Sequence, residues 1–248
     1  MNKNKLKTPG NPLTISFDFS TSEQKILFQW LSDHDYKLYL YKASNVVAGV
    51  GLVPIWYSIP FTELAAGKIV ISHVPTYRAY MAYTVASDVG DEIKVFTISD
   101  DVLLGTQLTL DKYGEFYETG KAPSGQIEII SHETKLVQVG LSSIVSEPSE
   151  KSKPFSPFCA VTLPPQNSVM LEPREDILIF AGQDGFNTGS IQLETTAPGV
   201  IFPYSSEDYV YPLEMIPITY GIKSSVEDGN VKATSSEANI ATLLGNTL

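Results

Sequence analysis

The sequence offers few residues that could act as nucleophiles or proton carriers. Its histidines are His34, His73 and His132, and Cys159 is the single cysteine. A nucleophilic site needs a serine or cysteine beside a histidine and a carboxylate, and the Gly-x-Ser-x-Gly motif that places such a serine is absent. The apolar neighbours of Cys159, Phe158 to Val161, indicate a buried structural thiol. We therefore expect a protein that is not an enzyme.

Acidic residues in predicted turns are weak candidates for a metal site. Asp100 and Asp184 occupy matching turns in two similar segments, and clustered turn carboxylates can bind calcium. Aspartate also favours turns because its side chain bonds its own backbone, and the spacing of a calcium-binding EF-hand loop is missing. A lone cysteine excludes a cysteine-based metal cluster. We expect these aspartates to be turn residues, and we expect no cofactor.

A glutamate beside aromatic residues raises the question of sugar chemistry. Glu118 follows Phe116 and Tyr117, a surrounding that suits a glycoside hydrolase. Residues 113–141 resemble a stretch of the thaumatin-like β-1,3-glucanases, in which an aromatic-flanked glutamate is followed by a strand that carries an aspartate. Gln138 stands roughly where that aspartate is expected, and a glutamine can serve as neither base nor nucleophile. Glycan hydrolysis around Glu118 is therefore the last of three functional hypotheses.

Tyrosines are the main candidates for a binding surface. Tyr77, Tyr80 and Tyr83 lie in one predicted strand, and Tyr209 and Tyr211 lie close together near the end of the chain. A tyrosine can bury its ring while its hydroxyl stays hydrated, which suits both strand packing and recognition. The second hypothesis is accordingly a lectin-like or toxin-like module that binds a glycan or a protein through these residues, with ordinary packing as the alternative.

Alternation of polar and apolar residues predicts strands along most of the chain. Successive side chains on a strand point to opposite faces, and residues 37–42, 92–95, 126–129 and 190–193 alternate in this way. Turns rich in glycine and proline separate such runs, and sixteen prolines leave little room for long helices. The sequence therefore predicts an all-β, antiparallel sandwich or jelly roll with very little helix.

Two segments resemble each other and suggest a duplicated β unit. When residues 90–108 are set above residues 174–192, Ile93 matches Ile177 and Phe96 matches Phe180, and the glycines at positions 105 and 189 coincide. A polar, proline-containing stretch at 146–157 has the composition of a linker. We therefore expect two tandem, related β domains, and the expected boundaries are a flexible basic arm at 1–11, domains at 12–145 and 158–222, and a polar C-terminal arm at 223–248.

Short helices are expected at two places only. One is predicted near residues 62–66, where Gly67 would end it. The other is predicted at residues 237–244, with Ser236 as its cap and Gly245 closing it. The second helix would carry an apolar stripe that needs a surface to pack on, formed by Ile240, Leu243 and Leu244.

The charge of the chain limits its partners. With a net charge of −11 and its basic residues clustered only at Lys3, Lys5 and Lys7, the chain lacks the surface that reads nucleic acid. No apolar run of a secretory signal follows Lys7, and no stretch approaches the ~20 apolar residues of a spanning helix. A cytoplasmic location, a place in a particle and export as a mature protein all stay open.

The first functional hypothesis is a structural, self-assembling subunit of a shell, capsid or filament. It rests on the missing catalytic groups, the polar arms at both ends, and the predicted terminal helix, which would order itself against a neighbouring chain because ordering needs a contact to offset its entropy cost. We therefore expect a homo-oligomer whose assembly arm presents Ile240, Leu243 and Leu244.

Overall fold

The fold is an all-β sandwich with few helices. A computed structural model describes residues 14–17, 19–47, 51–64, 72–146, 155–203 and 210–245. The strands of this part of the chain are β1 (Thr14–Phe17), β2 (Lys37–Val47), β3 (Gly51–Leu52), β4 (Tyr57–Pro60), β5 (Ser72–Ala82), β6 (Thr97–Ile98), β7 (Thr106–Leu110), β8 (Phe116–Lys121), β9 (Ile127–Ser131), β10 (Val137–Ser146), β11 (Ser156–Leu163), β12 (Ser168–Gly182), β13 (Gly199–Pro203), β14 (Val210–Ile216), β15 (Gly221–Ser224) and β16 (Lys232–Thr234). The helices are α1 (Ser22–Asp33), α2 (Ile240–Leu243) and a single 3-10 turn (Phe61–Glu63). None of the helices in these ranges is long and apolar enough to cross a membrane.

The long strand β12 organises the largest sheet. It pairs with β2 on one side through almost its whole length. On the other side its first residues pair with β9 and its later residues pair with β13. Strand β7 then joins β9 in parallel, β8 joins β7, β16 joins β13, and β4 joins β2. Most of the sheet is therefore built outward from one strand.

Two smaller sheets complete the structure. The first has the strand order β3-β11-β10-β5-β6 and is antiparallel throughout. The second has the order β1-β14-β15, with β1 parallel to β14. Apolar side chains from all three sheets and from α1 share one main core. This arrangement confirms the predicted all-β, sandwich-like fold.

Both faces of β2 and β12 are buried. Leu40 and Ile179 point into the main core, whereas Tyr41 and Phe180 point into a second core on the opposite face. The rings of Tyr41 and Phe180 stack with their centroids 5.4 Å apart. A strand that is covered on both faces buries apolar side chains on each of them, and each Å² of buried apolar area contributes roughly 25 cal/mol to stability.

An ion pair lies inside the sheet where the β2–β12 ladder is interrupted. The register shifts between Pro173 and Ile177, and the Lys42 Nζ atom lies 2.7 Å from Glu175 Oε2 at this bulge. Lys42 also donates to the carbonyl of Arg174 at 2.9 Å. Burial lowers the pKa of Lys42, and the charge of Glu175 opposes that shift. The bulge thus gives a fully buried ammonium the partners that it needs in place of water.

Helix α1 was not predicted, although the sequence contains its start signal. The hydroxyl of Thr21 accepts a hydrogen bond from the backbone N–H of Gln24 at 3.2 Å, and Thr-x-x-Gln has the spacing of a capping box. Leu27 and Leu31, four residues apart, are buried beneath the helix. The Gln24 amide group bonds the backbone N–H and C=O of Met215, which fixes the helix to β14.

The proposed domain boundary at 146–157 requires correction. Strand β10 before it and strand β11 after it pair directly, with Val137 opposite Leu163 and Val139 opposite Val161. The stretch therefore connects neighbouring antiparallel strands, and its residues 146, 156 and 157 belong to those strands. Because β12 also pairs with β2 and β9, strands from both predicted domains share the same sheets and the same core.

The C-terminal arm also differs from its prediction. Helix α2 covers only Ile240–Leu243, and its N-cap is Asn239 in place of Ser236. Ile240 and Leu244 are buried in the second core against β2 and β12, and Leu243 packs at its margin. The apolar stripe therefore packs on its own chain and is not presented to a neighbour. The other expected helix is replaced by the 3-10 turn Phe61–Glu63, and its residues 65 and 66 lie outside the described ranges.

The two similar segments take different places in the fold. Residues 174–182 form the second half of β12, of which 177–182 are buried, whereas most of residues 90–96 have no ladder partner. Phe180 is fully buried, but its counterpart Phe96 is 60% exposed. Gly105 and Gly189 do share a left-handed backbone, with φ near 90° in each. The similarity thus reflects a common turn chemistry.

Replacement of Glu175 by Gln is expected to destabilise the protein by about 2–3 kcal/mol, because the buried ammonium of Lys42 would lose the carboxylate that it bonds directly. Glu214→Gln is the matched control, since its partner Lys223 is 54% exposed and an exposed pair contributes about 1 kcal/mol or less. Urea unfolding of the two variants measures the difference. Equal losses would contradict a special role for the buried pair.

Candidate interaction surface

Three of the five tyrosines proposed as a binding surface, Tyr77, Tyr80 and Tyr211, are core residues. Tyr77 and Tyr80 lie on opposite faces of β5, and they are only 4% and 0% exposed. The hydroxyl of Tyr77 donates to the carboxylate of Glu175. The hydroxyl of Tyr80 donates to the carbonyl of Cys159 at 2.8 Å, and burial raises the pKa of Tyr80 well above its usual value. Neither side chain can contact a ligand at the surface.

Of the three tyrosines other than Tyr77 and Tyr80, one is buried, one is exposed and one lies outside the described residues. Tyr211 is buried beside Phe202, and its hydroxyl donates to the carbonyl of Pro203. Tyr209 lies outside the described residues. Tyr83 is 42% exposed and is the member of the set that the structure places at the surface. The tyrosine face expected from the sequence is therefore not formed by Tyr77, Tyr80 and Tyr211.

The candidate metal ligands do not form a site. Asp100 lies exposed just after β6, and Asp184 lies just after β12, where it accepts from Gln192 Nε2 at 3.4 Å. Burial, and secondarily the charge of Asp184, raises the pKa of Tyr39 to about 12. Within the described residues, no group of three or more His, Cys, Asp or Glu side chains is arranged to hold a metal ion.

The described side chains of His34, His132 and Cys159 also lie on different elements of the structure. His34 ends α1, where its ring stacks on Trp30 with a centroid distance of 4.1 Å. His132 is exposed after β9, and the side chain of His73 is outside the described part. Cys159 is buried in β11, and burial raises the pKa of its thiol from 9.0 to about 11. A thiol held in its neutral form is a packing residue, as the sequence indicates.

The residues that carry the glucanase resemblance lie in different sheets. Glu118 is exposed on the edge strand β8. Gln138 is buried in β10, where its side-chain amide bonds both the N–H and the C=O of Ala86. The amide of Gln138 therefore has a structural role, because it binds the segment after β5 to β10.

Tyr83, Phe96 and Gly114 form a cluster at the surface, which we call the aromatic corner, where the two large sheets come into contact. The rings of Tyr83 and Phe96 contact each other with a centroid distance of 4.7 Å. The turn between β7 and β8 brings Gly114 against Phe96 and Met81. The φ of Gly114 is 83°, a backbone angle that residues other than glycine rarely adopt. A Cβ atom at position 114 would lie 2.9 Å from Met81 Cε and 3.2 Å from Phe96 Cε1. Because residue 114 has no side chain, the turn can pack directly against the ring of Phe96.

The chain continues from this corner along the free edge of the five-stranded sheet. We call residues 94–104 the β6 edge. The backbone N–H groups of Phe96, Ser99 and Val102 donate to carbonyls of β5, so the segment follows β5 for most of its length. Its exposed apolar side chains are Val95 at 41%, Phe96 at 60%, Ile98 at 39%, Leu103 at 66% and Leu104 at 48%. Within the described ranges, no strand pairs with the outer side of β6.

Residues 95–99, the central part of the β6 edge, lack the charges that protect another edge of the sandwich. Strand β8 also ends a sheet, but it carries Glu118 and Lys121 and its pairing with β7 contains a register shift. Such charges and irregularities discourage pairing with another chain. From residue 95 to 99 the β6 edge reads Val-Phe-Thr-Ile-Ser, which contains no charge and no proline. It is therefore the edge better suited to a contact.

Sequence reasoning missed Phe96 and Ile98 as surface residues. The similarity of residues 90–108 to residues 174–192 pairs Phe96 with the buried Phe180, and the alternation at 92–95 predicts an ordinary strand. The available signal was the break of that alternation, because Val95, Phe96 and Ile98 place apolar side chains on both faces of one short segment.

Comparison with known proteins found no matching family model, no matching curated protein and no matching solved structure.

Gly114→Ala is expected to lower stability by about 2 kcal/mol, because it adds a steric conflict with Phe96 and Met81 to the strain of a positive φ. Gly125→Ala is the control, since Gly125 has a similar φ of 85° and its Cβ would meet nothing within 4 Å. It should cost only about 1 kcal/mol. Equal urea midpoints for the two variants would contradict the packing of the aromatic corner.

Proposed function

We propose that this protein is a non-enzymatic structural subunit that assembles with copies of itself through the β6 edge. Shells and filaments are the assemblies that such a subunit builds. The observation that carries the proposal is the uncharged run of residues 95–99 at the end of a sheet, where β6 pairs with β5 on one side only and apolar side chains are exposed.

The backbone makes this edge suited to another strand. An edge strand presents N–H and C=O groups that a further strand can pair with, and such addition is a recurring mode of protein recognition. Main-chain pairing also needs no particular cofactor or reactive side chain. It fits a described part of the chain in which histidines, cysteine and acids are dispersed.

The side chains supply the accompanying apolar area. Phe96 and Ile98, two residues apart in the chain, are 60% and 39% exposed, and exposed apolar patches are characteristic of interaction sites. Phe96 is held in place by Tyr83 and Gly114, so a partner would not have to order it first. A contact residue that is ordered beforehand costs less entropy on association.

The proposal changes the element that carries the assembly. The helix near the C-terminus fills the second core of its own chain, so its residues cannot bind a neighbour without unfolding. The burial of Tyr77, Tyr80 and Tyr211 likewise removes most of the surface on which a sugar-binding role was based. The β6 edge meets the requirement for an accessible contact surface.

Ile98→Lys is expected to shift the wild-type oligomer to the monomer, because a hydrated ammonium charge would replace an apolar contact at the edge. Ile218→Lys is the control, since Ile218 is 90% exposed on the turn between β14 and β15. Size-exclusion chromatography with light scattering gives the masses, and circular dichroism confirms folding. A monomeric wild type, or an Ile98→Lys variant that still assembles, would contradict the proposal.

A further inference from the structure

The β6 edge has a charge pattern that is complementary to itself in the antiparallel direction. Lys94 stands three residues before Thr97, and Asp100 stands three residues after it. Phe96 and Ile98 flank Thr97 in the same symmetrical way. If a strand with this pattern is turned around and laid beside itself, its positive end therefore meets its negative end.

This pattern defines one pairing register. In an antiparallel pair centred on Thr97, Phe96 lies opposite Ile98 of the second copy, and Lys94 lies opposite Asp100 of the second copy. Each of these pairs occurs twice because of the symmetry. Aromatic side chains opposite β-branched ones, and opposite charges facing each other, are both favourable cross-strand pairs.

The exposure of the individual residues agrees with this register. Lys94, Phe96, Ile98 and Asp100 are all exposed, so each of these side chains is accessible to a second copy. Ser99 is buried, and its hydroxyl instead binds the N–H of Ala79 at 2.9 Å within the chain's own sheet. The residues that a second copy would meet are thus the exposed ones.

Asp100 is the carboxylate of this segment that is open to a partner. The neighbouring Asp101 is held by Arg78, whose Nε atom lies 2.7 Å from it, and Arg78 also lies over the ring of Phe155. In the described part of the chain, no such ion pair is formed by Asp100. A lysine from a second copy would give it one.

Local charge pairs matter because two copies repel each other as a whole. Each chain carries a net charge of −11, so association needs a contact at which the local field is attractive. A pairing register that placed Asp100 beside Asp100 would add repulsion, whereas the register centred on Thr97 replaces it by two attractive pairs.

We infer that two copies of this chain join by antiparallel pairing of residues 94–100 about a twofold axis at Thr97, which merges their five-stranded sheets into one continuous sheet. This inference rests on the proposed function and specifies the partner and the geometry of its contact. A twofold contact is complete once two copies have joined, so a larger assembly would need a second contact surface on each copy.

A charge exchange tests the register. Lys94→Asp and Asp100→Lys should each weaken the dimer at least about tenfold, because each variant places like charges opposite each other at both ends of the contact. The double variant Lys94→Asp/Asp100→Lys should restore association to within about threefold of the wild type, since the pairs are attractive again. Glu118→Lys on β8 makes the same kind of charge change away from the edge and should leave association unchanged.

A cross-link tests the axis. Opposite residues of an antiparallel pair have Cα atoms about 4.5–5.5 Å apart, which is within the reach of a disulfide. Under mild oxidation, Thr97→Cys should therefore form a covalent dimer, whereas Thr119→Cys on β8 should not. The native Cys159 is buried and should not contribute to cross-linking.

The outcomes separate the two proposals. Restoration by the double charge variant, together with cross-linking at position 97, supports the twofold contact. A wild type that assembles while the single charge variants associate normally and position 97 does not cross-link overturns the contact and leaves self-assembly in place. A wild type that stays monomeric at every concentration overturns both.

Discussion

The antiparallel ladder between β2 and β12 is the constraint on which the rest of the structure depends. These two strands are covered on both faces, and the neighbours of β12 on its other side extend the sheet in both directions. The Lys42–Glu175 pair lies at the bulge of this ladder, where a fully buried charge tolerates few alternative arrangements. An arrangement of strands that lost this pair would leave an unpaired charge in the core, which is strongly unfavourable.

Because the interior of the sandwich is filled by packing residues, the sheet edges are the places where a contact with another molecule can form. The interior holds Tyr77, Tyr80 and Cys159 as packing residues, and the terminal helix covers the second core. What differs among the described surfaces is the protection of the sheet ends, since β8 carries charges and residues 95–99 of the β6 edge do not. The proposed function follows from that difference and does not require a reactive group.

The sequence predicted the fold class well and the surfaces poorly, for identifiable reasons. Alternation at residues 37–42 correctly indicates a strand, but alternation implies one wet face, and β2 is buried on both because a second layer covers it. The apolar stripe of the terminal helix was recognisable, yet its partner was the chain's own second core. Tyr83 and Phe96 meet through the pairing of β5 with the next strand, β6, at the two ends of the loop 83–96, whose path no local alternation pattern gives.

Amide hydrogen exchange over a series of protein concentrations tests the central claim most directly. If copies of the chain join at the β6 edge, exchange should slow as concentration rises at those amides of residues 95–99 that face away from β5, because they become bonded. The amides of Phe96 and Ser99 already donate to β5 and do not carry this test. Amides of β8 provide an internal reference and should exchange at the same rate throughout. Exchange in residues 95–99 that is independent of concentration, in a protein that stays folded, would contradict the account.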